Sequence, residues 1–331
     1  MTITTNLKRL LPKRLKIYTK ASAILIHDAV HFIENSNILQ KFNTEDKLLG
    51  KINLYYHVVE KGLTMPETRF GFGQETVLLL ASMCTLYIEK GYNIKNEIYQ
   101  HAVSILLEYQ EFHKFNDYKL DKNFENELSQ KLQVLDINVM NSKQLEFTAA
   151  NYFKDVESNF SDFSNSRYSV RNYAPEEIDS DTLIACIKLA QKTPSSCNRQ
   201  PNRVKIINDK ETIKQVLKLQ YGNRGFGHLT SSLIILTSDI SVWQGVNDRQ
   251  QSHFNSGMFA MSLLYALHFE KIVACPLNWS ASVKATKKLR ALLNIPKNEL
   301  VTLMISCGRA PDNFKVAMSP RLDPNSITTF Y

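Results

Sequence analysis

The sequence predicts a layered α+β fold behind an all-helical N-terminal region. Two patterns carry this expectation. From Ala21 to about Phe115 apolar residues recur at helical spacing in one run after another, whereas from Val204 onward short continuous apolar runs alternate with amphipathic ones. Short strands set between covering helices make an α+β or α/β layered core. At 331 residues the chain exceeds one typical domain and is short for three. Apolar residues at 44% suffice for a sizeable core and charged residues at 22% are ordinary, the composition of a soluble globular protein.

Residues 1 to 20 carry Lys8, Arg9, Lys13, Arg14, Lys16 and Lys20 and no acid, interleaved with Leu7, Leu10, Leu11, Leu15 and Ile17. Basic residues break the apolar run every few positions, so the segment does not read as a signal peptide. A basic amphipathic helix in peripheral contact with an anionic membrane is one reading. A helix packed on its own protein, interrupted at Pro12, explains the same pattern.

Four helices follow. The first covers Ala21 to Glu34. The second starts at Thr44, buries Leu48, Ile52, Tyr55 and Val59, and stops near Gly62 as a C′ glycine. The third, from Gln74 to Lys90, is apolar on nearly all sides and should be central in the bundle, yet falls short of the ~20 apolar residues a bilayer requires. The fourth runs from Asn96 to Phe115 with Ile98, Ala102, Ile105 and Tyr109 on one stripe. Between the second and third, Glu60 to Gly73 concentrates Gly62, Gly71, Gly73, Pro66, Arg69 and two phenylalanines. Such a loop either covers a pocket or is a rigid connector whose phenylalanines plug the bundle. His57 and Glu60 share a helical face, a spacing that is usually structural.

Residues 116 to 160 are polar, with weak periodicity in Leu132, Val134 and Ile137, and read as a junction. We therefore expect a helical domain over residues 1–150 and a second domain over 151–331. In the second, strands are expected at Val204–Ile207, Ser232–Thr237, Ile272–Cys275 and Leu300–Cys307. Helices are expected at Asp181–Gln191, Lys210–Gln220, Asn255–Glu270 and Val283–Leu293.

The net charge of +8 reads as a lysine-rich surface with a basic N-terminus, and no nucleic-acid-binding signature accompanies it. The five cysteines, Cys84, Cys186, Cys197, Cys275 and Cys307, are widely spaced and contain no Cys-x-x-Cys, so neither a disulfide framework nor a zinc site is indicated. Four lie in or beside apolar runs and Cys197 is the one within reach of solvent. A reducing cytoplasm is the simplest home.

The functional signal lies between Ser166 and Pro201. Arg167, Ser169 and Arg171 alternate, and alternate side chains of an extended segment point the same way, so two guanidinium groups and a hydroxyl can face one anion. Guanidinium binds phosphate oxygens bidentately and stays charged. After the helix, which Asp179 or Ser180 caps, comes Thr-Pro-Ser-Ser-Cys-Asn-Arg-Gln-Pro, a loop of small polar side chains able to approach a ligand.

Arg-x-Ser-x-Arg followed some twenty residues later by Pro-Ser-Ser-x-Asn-x-Gln-Pro resembles the opening of the FMN-dependent nitroreductase family. The resemblance covers about residues 160 to 331. It implies a nitroreductase-like fold with a central mixed β-sheet flanked by helices, FMN as cofactor, and NADH or NADPH as reductant. Arg167 and Ser169, with Tyr168 between them, would bind the phosphate, and Arg171 the pyrimidine edge of the ring. A cation there stabilises reduced flavin, which carries negative charge near N1 and O2. Pro194, Ser195, Ser196 and Asn198 would reach a flavin held mainly by a second subunit, which implies a homodimer. Asn223 or Arg224 would stand near the ring or ribityl chain, the backbone of Leu277 and Asn278 near flavin N5, and Arg309 at the phosphate. No catalytic side chain is expected, since the flavin carries the chemistry.

Two departures from the family pattern stand out: Asn202 follows Gln-Pro where an aromatic residue is common, and Tyr168 replaces a frequent basic residue. The electron acceptor implied is a small molecule (a nitroaromatic, a quinone or a specialised metabolite). The alternative is an inactive scaffold that docks partners through its helical half. Gly222-Asn-Arg-Gly-Phe-Gly227 follows a helical run and precedes a strand, the reverse of a dinucleotide-binding loop.

Overall fold

A computed structural model describes residues 12–135 and 143–331. Most of the basic N-terminal stretch, including Lys8 and Arg9, and Ile137 of the junction lie outside the described residues.

The first helix, α1 (Lys13–Asn35), begins well before the expected Ala21, directly after Pro12. Proline cannot continue a helix on its N-terminal side but is tolerated at its start, so Pro12 opens α1 instead of interrupting it. A bidentate pair from Arg249 to Asp28, at 2.6 and 2.8 Å, holds α1 against the second half of the chain.

A bundle follows: α2 (Glu45–Leu63), α3 (Gln74–Glu89), α4 (Glu97–Phe115) and α5 (Lys122–Val134). Side chains of Thr44, Asn96 and Asp121 accept hydrogen bonds from otherwise unpartnered backbone N–H groups and set the starts of α2, α4 and α5. Their apolar stripes close one core around Leu48, Ile52, Val77, Leu80, Ile105, Tyr109 and Leu128.

Gly62 is not the expected C′ glycine. It lies inside α2, whose C-cap is Thr64, and a Cβ there would sit 2.0 Å from the Phe72 ring. Glycine is required for that close approach. Phe72 packs on the bundle core, whereas Phe70 stays exposed while stacking on Phe112 and Tyr118, so of the two phenylalanines of this loop only Phe72 plugs the bundle.

The second half opens with β1 (Leu145–Thr148), the single turn α6 (Ala149–Tyr152) and the short α7 (Phe160–Ser166). Then come α8 (Ser180–Ala190), β2 (Asn202–Ile207), α9 (Lys210–Leu217), β3 (Ser232–Asp239), α10 (Gln251–Phe269), β4 (Ile272–Asn278), α11 (Val283–Leu293), β5 (Glu299–Arg309) and β6 (Asn313–Val316). The main sheet has the order β2-β3-β5-β4, and β1 pairs separately with β6. The layered α+β architecture is as expected. Every strand pairing among the described residues is antiparallel, however, so the mixed sheet is corrected to an antiparallel one.

The main sheet is buried on both faces, which explains its continuously apolar strands. One face packs α8 and α10 through Ile234, Leu236, Leu263, Leu267 and Cys307. The other packs α9 and α11 through Val216, Leu233, Ile235, Leu289 and Met304. After β6 the chain returns to the bundle, where Met318 N donates to Gln144 Oε1 at 3.0 Å and Ser319 reaches Glu60. None of the described helices is long and apolar enough to cross a membrane.

Candidate functional site

The strand β4 is an edge of the main sheet, and the segment after α7 meets it at Ala274 and then passes to the end of β5 at Arg309. Val170 N donates to Ala274 O at 3.1 Å and Ala174 N to Arg309 O at 3.0 Å. This places the Arg-x-Ser-x-Arg segment beside an open sheet edge, where backbone and side chains can meet a ligand.

Arg167 follows α7 and enters a narrow crevice lined by Tyr152, Leu264, His268, Ile272 and Ala274. Its Nε and Nη1 are buried and have no hydrogen-bond partner. Burial first, and the neighbouring Arg167 second, push His268 down to about 4, so this imidazole is neutral at pH 7. Its Nε2 lies 2.8 Å from Ser166 Oγ. Tyr168 turns its ring away onto Phe147, while its backbone N–H and carbonyl both bond the Tyr152 hydroxyl at 3.0 Å.

Arg171 is only 7% exposed, and its Nη1 donates to the carbonyl of Ser169 at 3.5 Å. Its guanidinium lies against the thiol of Cys275 on β4. Burial raises the Cys275 pKa, and the positive charges of Arg171, Lys61 and Arg167 offset part of that rise. No carboxylate lies within ion-pair distance of Arg167, Arg171 or Lys61 among the described residues. Uncompensated buried cations are costly, so the arrangement calls for an anion.

The remaining candidates are spread along and around this edge. Arg309, in register with Ile272, reaches Asp179 Oδ2 at 3.5 Å. An exposed pair at that distance contributes little and is readily exchanged for a better anion. At the far end of β4, the Asn278 carbonyl accepts from Gln220 Nε2 at 3.0 Å, and Leu277 is buried. The amide of Asn223 is spent on the turn, donating to the carbonyls of Leu217 and Gln220, whereas Arg224 is exposed.

The Pro194–Asn198 loop is elsewhere. Ser196 N donates to Asn255 Oδ1 at 2.9 Å and Ser196 Oγ to Gln251 Oε1 at 2.6 Å, at the N-terminal end of α10. Cys197 and Asn198 adopt positive φ, a left-handed turn that holds the loop out toward solvent. Arg167 sits beside His268, at the other end of that helix. From Asn255 to His268 the helix advances about 20 Å. The structure therefore does not bring the two halves of the motif together within one chain.

Sequence reasoning missed Lys61, Tyr152, His268 and the position of Cys275. A lysine in the last turn of a helix ordinarily reads as a partner for the helix dipole, and this one is half-buried. Residues 64–66 beside it, with Asn172 and the β1–β6 ribbon, also line a groove of ≈ 410 Å³.

Residues 165–224 match the model of the nitroreductase family. Comparison with curated proteins gives no match. Among solved structures, the chain is similar to a nitroreductase family protein from Streptococcus pneumoniae TIGR4, at 19% identity over 52% of this chain and 100% of that one, with a TM-score of 0.46. It is similar to NfrA2 of B. megaterium at 19% identity over 50% of this chain and 72% of that one, TM-score 0.45. A third similarity is to an FMN-dependent nitroreductase from Clostridium difficile R20291, at 21% identity over 46% of this chain and 89% of that one, TM-score 0.41.

Proposed function

We propose that the second half of this chain, with the nitroreductase-matching segment at its heart, is an FMN-dependent oxidoreductase that uses NADH or NADPH. The observation that carries this reading is the cluster of cations without counter-charge along the β4 edge, above all the buried and unpartnered Nε and Nη1 of Arg167. A phosphate-bearing anionic cofactor fits that donor set. Bound there, FMN would supply hydride-transfer chemistry between NADH or NADPH and a small-molecule acceptor such as a nitroaromatic, a quinone or a specialised metabolite.

The chain itself binds, orients and excludes water. Arg167, Ser169 and Arg309 hold the phosphate near the start of β4. Arg171 places a fixed charge at the pyrimidine edge, and the backbone of Leu277 and Asn278 flanks the reacting end. The strand spans about 20 Å, a length suited to laying one FMN along it. The groove beside Asn172 gives the acceptor an approach.

The Pro194–Asn198 loop acts on the flavin of a second copy, which makes the working unit a homodimer. Its separation from Arg167 supports this. So does an exposed stripe on α10, formed by Phe254, Met258 and Phe269 with Met261 and Tyr265 between them. Free cysteines suit a reducing compartment, and we place the protein in the cytoplasm.

The test is the visible absorption spectrum of the purified protein before and after anaerobic NADH or NADPH. Flavin bands that bleach are expected. A colourless protein that cannot be reconstituted with FMN would overturn the reading and favour a scaffold.

A further inference from the structure

We infer that Tyr152 on α6 and His268 on α10 are positioning residues for the phosphate end of the site: they grip the residues on either side of Arg167 and so aim its guanidinium and the Ser169 hydroxyl. The inference rests on the FMN reading above, and it assigns a role to two residues that lie outside the nitroreductase-matching segment 165–224.

Both sequence neighbours of Arg167 are pinned. On one side, the Tyr152 hydroxyl accepts from the Tyr168 N–H and donates to the Tyr168 carbonyl, each at 3.0 Å. Tyr168 takes part in no backbone–backbone hydrogen bond among the described residues, so this one hydroxyl satisfies both of its main-chain groups. On the other side, Ser166 Oγ lies 2.8 Å from His268 Nε2 and 2.9 Å from the Phe163 carbonyl. A hydroxyl has one proton to give, and a carbonyl can only accept it. With that proton given to Phe163, His268 Nε2 carries the N–H and Nδ1 is a bare acceptor.

That Nδ1 is buried without a partner, and His268 lines the same crevice as Arg167, whose Nε and Nη1 are buried without partners too. An acceptor enclosed with two donors attracts the guanidinium, yet a neutral ring leaves the positive charge uncompensated and open to an anion.

The two grips form one platform. The rings of Tyr152 and His268 meet edge to face with centroids 5.1 Å apart. Phe147, Phe153 and Phe314 surround Tyr152 at 5.5, 5.0 and 5.1 Å. Tyr152 is 2% and His268 1% exposed, so neither side chain has room to turn. Packing alone accounts for the two rings. It does not require their polar atoms to fall on residues 166 and 168. An arginine between two fixed neighbours has its Cα–Cβ direction set, which lowers what this rotamer-rich side chain loses on gripping a phosphate.

The test uses the full chain with Tyr152→Phe, which keeps the ring and removes the hydroxyl, and Ser166→Ala, which removes the link to His268. It reads FMN and riboflavin affinities by fluorescence quenching and the melting of the flavin-free protein. Tyr152→Phe is expected to weaken FMN about tenfold, the worth of one hydrogen bond to a charged group, while riboflavin affinity hardly changes. Ser166→Ala should shift the preference in the same direction by a smaller factor. Added to Arg167→Ala, Tyr152→Phe should cost clearly less FMN affinity than it does in the wild type, because the group it aims has gone.

An unchanged preference for FMN over riboflavin in Tyr152→Phe overturns the inference. Equal loss of both affinities also overturns it, by making Tyr152 purely structural. The same loss of FMN affinity repeated in Arg167→Ala overturns it as well, since Tyr152 would then act on something other than Arg167. If Tyr152→Phe no longer melts cooperatively, Ser166→Ala decides by the same preference. A wild-type chain that takes up no flavin overturns this inference together with the reading it rests on, whereas the preceding outcomes leave that reading standing.

Discussion

The Ser319 hydroxyl donates to Glu60 at 3.0 Å, joining groups 259 residues apart in sequence. This bond ties the C-terminal segment to the helical bundle at a carboxylate that is fully buried. Removing one hydrogen bond to a charged group costs about 1.5–3 kcal/mol. Ser319→Ala should therefore lower stability to urea by that amount. Glu60→Gln should cost about 3 kcal/mol or more, because it disturbs both histidines as well. The two effects should be less than additive in a double-mutant cycle, and strict additivity would show that the bond carries no energy.

Acid should unfold the protein in two stages. Burial pushes the Glu60 carboxyl up, but hydrogen bonds from His101 and His57 more than offset this and leave it at about 2. A depressed carboxylate contributes stability that is complete above its ordinary value of 4.5 and is lost as pH falls toward 2. His268 is buried neutral, with its pKa lowered from 6.5 to about 4. Between those values the unfolded chain binds the extra proton, so stability falls as pH drops through that window. Melting temperature measured against pH should show both losses. His268→Gln should flatten the upper one and Glu60→Gln the lower.

These two residues also mark what the sequence made legible. His57 and Glu60 at helical spacing are visible from the chain, and the structural role expected of them agrees with the packing. Their completion by His101 and Ser319 is not visible, because nothing local links residues so far apart. Helix starts at Thr44, Asn96 and Asp179 were legible because a capping side chain acts over three residues. Gly62 misled, since a glycine required by a ring above it looks the same in sequence as one that ends a helix. The Arg-x-Ser-x-Arg and Pro-Ser-Ser-x-Asn runs were readable as motifs. Their placement near opposite ends of α10 was not, because that helix comes some fifty residues after the second motif.

That placement gives a test of the homodimer by subunit complementation. Arg167→Ala should weaken flavin binding through one copy and Asn198→Ala through the other. In a heterodimer of the two variants, one site carries both changes and the other carries neither. Mixing equal amounts, with exchange of subunits, should restore about a quarter of the wild-type flavin sites, although neither variant alone binds well. No recovery on mixing, with heterodimers demonstrated by differently tagged copies, would place both residues in the same chain's site. Met258→Glu, in the middle of the exposed α10 stripe, should give a monomer with little bound flavin, as seen by light scattering and absorbance.

Arg167 offers a prediction in which affinity and stability move in opposite directions. Its Nε and Nη1 are buried without partners, so the flavin-free protein carries an uncompensated cost there. Arg167→Ala should remove that cost and leave the flavin-free protein at least as stable as the wild type, within the ~1–3 kcal/mol associated with an unsatisfied buried group. Affinity for FMN should fall at least tenfold, while affinity for riboflavin, which has no phosphate, should hardly change. Arg167→Lys should recover only part of the loss, because an ammonium cannot bind phosphate oxygens bidentately in a plane. The same change should release His268 from part of its depression, since Arg167 is the second cause after burial. Proton NMR titration of His268 in Arg167→Ala should give a pKa above the wild-type value of about 4. Equal loss of FMN and riboflavin affinity would mean that Arg167 serves the ring or the fold, and the phosphate would have to be sought elsewhere on the β4 edge.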